Sequence, residues 1–144
     1  MELFDDRAAA TYRMNYGPQE ATEKPSVQMG VSVTGDNYWH GKASSQHADV
    51  VTAAYNGGTY MVTQMEDNAF GVVALNEGKL DRLIVVRDVV NYDQPYPGQT
   101  VLESLDASSG AFAIGMKNGF IVSKMIIDTL VNNWDLYKEV TPSL

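Results

Sequence analysis

Between Thr59 and Asn76 the spacing of apolar residues changes its period at a single carboxylate. Thr59, Tyr60, Met61, Val62, Thr63 and Gln64 alternate as a strand does, and Met65-Glu66 closes that run. Asp67 to Asn76 then sets Ala69, Phe70, Val73 and Ala74 at helical spacing, with Asp67 or Asn68 as the expected cap. Strands that alternate with helices make an α/β chain. Glu66, at the junction, can be held rigidly enough to grip a ligand's hydroxyls.

The same alternation recurs along the chain. Val27 to Val33 reads as a strand leading into Gly35-Asp36, and residues 42 to 55 as a helix ended by Asn56-Gly57-Gly58. Leu83-Ile84-Val85-Val86 is a continuous apolar run of the kind found in strands covered on both faces, which predicts a parallel sheet between helices. Residues 3 to 16 read as a helix stopped by Gly17-Pro18, and Gln19 to Pro25 as a loop. A loop rich in Pro95, Pro97 and Gly98 precedes a closing helix over Phe120 to Tyr137, where Val122, Met125, Ile126, Leu130 and Trp134 form a stripe expected to pack on the sheet. The fold class is therefore α/β. The expected organisation is one domain over 1–144, with an N-terminal helix and loop to residue 25 and an α/β body over 26–144, or a part of a larger fold, since three strands make a thin sheet.

Composition narrows the function. Eighteen acidic against ten basic residues give a net charge of -8, which disfavours nucleic acid or an anionic membrane surface as partner. The chain has no cysteine, so disulfides and thiolate chemistry are excluded. Its apolar stretches fall short of the ~20 residues that span a bilayer as a helix, so no membrane span is expected. His40 and His47 are seven apart with no carboxylate or cysteine at ligand spacing, and no metal site is expected. No phosphate-binding loop, nucleophile elbow or dinucleotide fingerprint is present, and the glycines between Gly110 and Gly119 read as packing positions.

Three segments fall at or just after predicted strand ends, where ligands bind in α/β sheets. Glu66, ionised, accepts hydrogen bonds and suits the 2′,3′-diol of a ribose; a carboxylate facing a helix N-terminus is the other reading. Tyr38 and Trp39 offer aromatic faces for a heterocyclic base, or serve as core or interface aromatics. Asp36 is expected to order the turn after Gly35 through hydrogen bonds to backbone amides, or to be an ordinary turn aspartate. Asn91 carries the donor and acceptor that a purine edge needs, but has no proton to give near neutral pH. Asp88 and Asp93 are the acids in that segment with such a proton, or else solvated loop charges. Arg87 either holds an anion or pairs with Asp88 or Asp93.

The runs Ser32 to Gly41 (Ser-Val-Thr-Gly-Asp-Asn-Tyr-Trp-His-Gly), Thr63 to Asp67 (Thr-Gln-Met-Glu-Asp) and Val86-Arg87 through Asn91-Tyr92-Asp93-Gln94-Pro95 together resemble the purine nucleoside permease family. That family is itself similar to the nucleoside phosphorylase and nucleosidase superfamily. The resemblance runs from about Ser26 to Asn133-Trp134-Asp135-Leu136-Tyr137. It implies a three-layer sheet with helices on both faces, of which this chain carries the C-terminal portion. It assigns base stacking to Tyr38, ribose contacts to Met65 and Glu66, and purine contact to Asn91. Where relatives of the phosphorylase type have an Asp that protonates the base, this chain has Asn91.

The resemblance implies purine nucleoside recognition. Cleavage of the N-glycosidic bond by phosphate or water, a glycosyl transfer, would follow if an N-terminal half or a second chain completes the site. Asn91, Asp88 and Asp93 would then carry catalysis, with phosphate as a co-substrate and no cofactor. The alternative is a non-catalytic nucleoside-binding protein that supports uptake. Homo-oligomeric assembly is a further expectation.

Overall fold

A pair of short parallel strands carries the fold, and each strand is followed by a helix. In the computed structural model, which describes residues 2–139, β1 (Val31–Thr34) pairs with β2 (Tyr60–Gln64). Val31 stands opposite Tyr60 and Ser32 opposite Val62, so Met61 is an extra residue that offsets the ladder. Parallel pairing needs a long crossover, and α3 (Lys42–Ala54) supplies it, burying Ala48 and Thr52 one turn apart. Its start is set by Gly41, whose φ of 101 suits glycine alone and whose N–H donates to the Asp93 carbonyl at 2.7 Å. α4 (Asp67–Asn76) leaves β2 directly. These elements confirm the α/β class and lie within two residues of their predicted bounds, except that β1 begins at Val31 instead of Val27.

Other segments depart from expectation. The first helix, α1 (Arg7–Arg13), is capped by the Asp6 side chain accepting from Ala9 N–H at 2.8 Å and ends in a 3-10 turn over Met14–Tyr16. Pro18 opens α2 (Pro18–Thr22) where a loop was expected, since a proline at the first helical position loses no needed donor. Tyr16 stacks on Tyr92 with ring centroids 3.7 Å apart, docking this end of the chain on the 92–96 loop. A further helix, α5 (Val101–Asp106), follows the proline loop and is held by a Thr100–Glu103 capping box. The last long helix, α6 (Phe112–Asn132), begins eight residues before its expected start, and Trp134–Tyr137 forms a separate turn, α7.

The largest correction concerns Leu83–Val86. This run is extended at its start, Leu83 having φ -88 and ψ 125, but it joins no sheet, and the sheet has two strands among the described residues instead of three. No other strand presents its backbone to the run, and Ile84 is 57% exposed instead of covered on both faces. The chain beyond it crosses α6 at two glycines. A Cβ on Gly115 would lie 2.5 Å from Val90 Cγ1, and one on Gly119 2.2 Å from Asp88 Oδ2. The glycines thus have the packing role expected of them. Helix α6 also grips the start of the chain, with Asn118 accepting from Phe4 N–H at 2.8 Å and donating to the Phe4 carbonyl at 2.9 Å. It packs there and on residues 88–90, and among the described residues it makes no extensive contact with β1 and β2 of the kind its stripe suggested.

The interior is thin for this length. Among the described hydrophobic residues only Ala9, Ala48 and Val122 are buried. The accessible surface is 10618 Å², where a folded monomer of 15.8 kDa has about 7,300 Å².

Candidate functional site

Because β1 and β2 are parallel, Thr34 and Gln64 end on one rim, and the chemistry gathers there. Gln64 organises it. The side chain is buried, and its Oε1 accepts from the backbone N–H groups of Glu66 at 2.7 Å and Asp67 at 2.8 Å, while Nε2 donates to Ser32 Oγ at 3.1 Å. Thr34 Oγ1 accepts from Asn68 N–H at 3.1 Å. Two strand residues therefore satisfy the free amides that open α4, a task that sequence reading gave to Asp67 or Asn68. The cap position itself is Glu66, which makes no side-chain cap bond.

With its backbone held this way, the Glu66 carboxylate is free to point outward, and its side chain is 58% exposed. Arg87 Nη2 donates to Glu66 Oε2 at 2.8 Å, and Arg87 Nη1 lies 3.7 Å from Asp67 Oδ1. The arginine is thus a carboxylate partner, but of Glu66 and Asp67 where the sequence suggested Asp88 or Asp93. One face of the carboxylate is engaged by the guanidinium; no protein hydrogen bond is made to Oε1 among the described residues. Met65 stands beside it, 39% exposed.

Asp36 lies at the same rim. Its Oδ1 accepts from Asn68 Nδ2 at 3.1 Å, so it ties the Gly35 turn to the start of α4 through a side chain, not through the backbone amides of its own turn. The two aromatics that follow differ. Tyr38 is 61% exposed, its ring 6.0 Å from that of His40. Trp39 is half-buried and packs edge-on against His47 at 5.2 Å. Tyr38 is the one with a face open to a ligand.

The third segment is divided. Asn91 is exposed, and its Nδ2 donates to the Tyr92 carbonyl at 3.3 Å. Asp93 Oδ2 accepts from Ser45 Oγ and from Tyr60 Oη, each at 2.6 Å, so it clamps this loop to α3 and β2. Asp88 is turned against Gly119 of α6; burial raises its carboxyl pKa, an effect that Arg87 opposes. Ion pairs thus join Arg87 to Glu66 and Asp67, and a hydrogen bond joins Asp36 to Asn68, while Asn91 and Asp93 bond elsewhere and Asp88 packs against Gly119.

His40 lies in no metal-binding cluster among the described residues. It instead pairs its Nε2 with Ser104 Oγ at 3.0 Å, joining the Tyr38 segment to α5. Its Nδ1 is buried without a partner, and desolvation lowers the ring's pKa below the usual 6.5, against a smaller pull from Asp93. Also among the described residues, no helix is long and apolar enough to cross a membrane.

An α/β chain with a polar rim at its strand ends is the class that the geometry defines. The family model for purine nucleoside permeases matches residues 1–142, and the chain belongs to that family. It is 29% identical to a probable purine nucleoside permease of Schizosaccharomyces pombe, over 94% of this chain and 41% of that protein. Two purine nucleoside permeases of Candida albicans are each 30% identical, one over 90% of this chain and 34% of its own length, the other over 88% and 33%. The chain therefore spans between a third and two fifths of the curated relatives it matches. No solved structure matches it.

Proposed function

We propose that the rim at the ends of β1 and β2 recognises a purine nucleoside, as part of a protein that supports nucleoside uptake. The observation that carries this reading is Glu66. Its backbone is fixed by Gln64, its Oε2 is held by Arg87, and its Oε1 is left to accept from a ribose diol. Met65 lies along the sugar, Tyr38 offers a face to the base, and Asn91 reads the purine edge. The names of the relatives, all purine nucleoside permeases, support the choice of ligand.

Recognition is favoured over cleavage on chemical grounds. Phosphorolysis or hydrolysis of the N-glycosidic bond needs a proton donor at the purine and a site for phosphate or water. Asp88 is lodged against α6, Asp93 is engaged by Ser45 and Tyr60, and Asn91 has no proton to supply. A cleaving site in a phosphorylase-like sheet would need those groups from the remainder of a longer protein.

Diol dependence tests the reading. Quenching of intrinsic Tyr and Trp fluorescence by inosine is expected to saturate, and 2′,3′-dideoxyinosine to bind at least about tenfold more weakly, near 1.4 kcal/mol. Equal quenching by both would remove Glu66 from the sugar.

A further inference from the structure

Beyond the rim, the run Leu83–Val86 has the makings of a strand without a ladder. Arg87 fastens its end to Glu66 at the carboxyl end of β2, and the chain after it is pinned on α6 at Gly115 and Gly119. Among the described residues, no backbone hydrogen bond joins residues 84–89 to another segment. Such a row of free N–H and C=O groups on an apolar segment is a template for strand addition. Helix α4, which leads into the run, turns Phe70 and Val73 outward, each 63% exposed.

We propose that this face docks the part of a permease-family sequence that this chain does not span. That polypeptide contributes a β-strand that pairs with Leu83–Val86 and an apolar layer that covers α4. The size of the exposed surface supports an occupant of this scale. The 10618 Å² of accessible area exceeds the folded-monomer value by about 3,300 Å², several times the roughly 800 Å² that each partner buries in a standard interface. The relatives have the polypeptide to spare, since this chain matches 41% or less of their length. A second copy is the weaker occupant, because it brings another net charge of -8 to the contact. Docking at this face does not depend on nucleoside binding at the rim.

Co-expression with the portion of the Schizosaccharomyces pombe relative that this chain does not match provides the test. The expected result is a one-to-one complex by light scattering, with amide hydrogen exchange at residues 84–89 slowed about a hundredfold or more. Ile84→Asp, at a position already exposed, is expected to weaken association at least about tenfold while leaving the far-ultraviolet circular dichroism of the free chain unchanged. Failure to associate, a self-associated form that already protects these amides, or a complex in which they exchange as in the free chain would each overturn the proposal.

Discussion

Arg87 Nη2 lies 2.8 Å from Glu66 Oε2, and this contact joins the end of the Leu83–Val86 run to the end of β2. Both side chains are substantially exposed, so the pair contributes little to folding. Arg87→Ala is expected to change unfolding free energy by less than about 1 kcal/mol in urea titrations. Its effect on inosine affinity should be larger, a loss of several-fold, because the freed carboxylate gains rotamers that binding must remove. A large stability loss with unchanged affinity would make the pair a folding element only.

Gln64 makes the opposite kind of contribution. It is buried, and its removal strands the amides of Glu66 and Asp67 and takes a donor from Ser32 Oγ, which keeps its bond to Asp67 Oδ2. Gln64→Ala is expected to cost about 1–3 kcal/mol of stability by urea titration. Gln64→Glu keeps the acceptor oxygen but loses the donor to Ser32, and should fall between that variant and the native chain at neutral pH.

Gly119 is packed on by Asp88, whose carboxylate would meet a Cβ at 2.2 Å. Alanine favours a helix by about 1 kcal/mol over glycine, yet overpacking costs about 1–3 kcal/mol. Gly119→Ala should therefore be neutral to destabilising, and Gly119→Ala combined with Asp88→Ala should recover the helix gain. A double-mutant cycle in urea reports this coupling; strict additivity would show that Asp88 does not pack there.

His40 predicts a pH dependence. Its folded-state pKa is lowered by burial, so the folded chain holds it neutral where the unfolded chain takes up a proton. Its contribution to stability is complete above pH 6.5 and is lost as the pH falls from there through the folded-state value. Thermal melts of the native chain and of His40→Gln should converge on acidification, with the native chain losing more between pH 7 and the pH where His40 protonates. Parallel curves would remove His40 as the cause.

Much of the layout around the rim is legible in local pattern. The change of period at Met65-Glu66 and the Asn56-Gly57-Gly58 stop are short-range signals, and each appears where its residues place it; α4 forms where its stripe predicts, although Phe70 and Val73 stay exposed. The failures have physical causes. Leu83–Val86 has the composition of a covered strand, but strand formation depends on a neighbour, which local sequence does not contain. Gly115 and Gly119 obscured the first turns of α6, because glycine weakens a helical pattern that tertiary packing then restores. The Thr100-x-x-Glu103 capping box was a readable signal for α5 that the surrounding prolines masked.

At the site, legibility ended at side-chain direction. Residue type marked Glu66 and Tyr38, and spacing marked the segment from Arg87 to Asp93. That Asp93 would turn toward Ser45 and Tyr60, and Asp88 toward α6, depends on long-range packing. Gln64 was visible only as a strand residue, although a buried glutamine two positions before a helix cap is a workable signal for a shared cap.

Calorimetric titration of inosine into the native chain and into Glu66→Gln tests ribose recognition most directly. The substitution keeps the size of the side chain and removes its charge. The expected result is saturable binding to the native chain and an affinity at least about tenfold lower in the variant, near 1.4 kcal/mol, with unfolding in urea unchanged within about 0.5 kcal/mol. Equal affinity in the two proteins would contradict the assignment of Glu66 to the sugar.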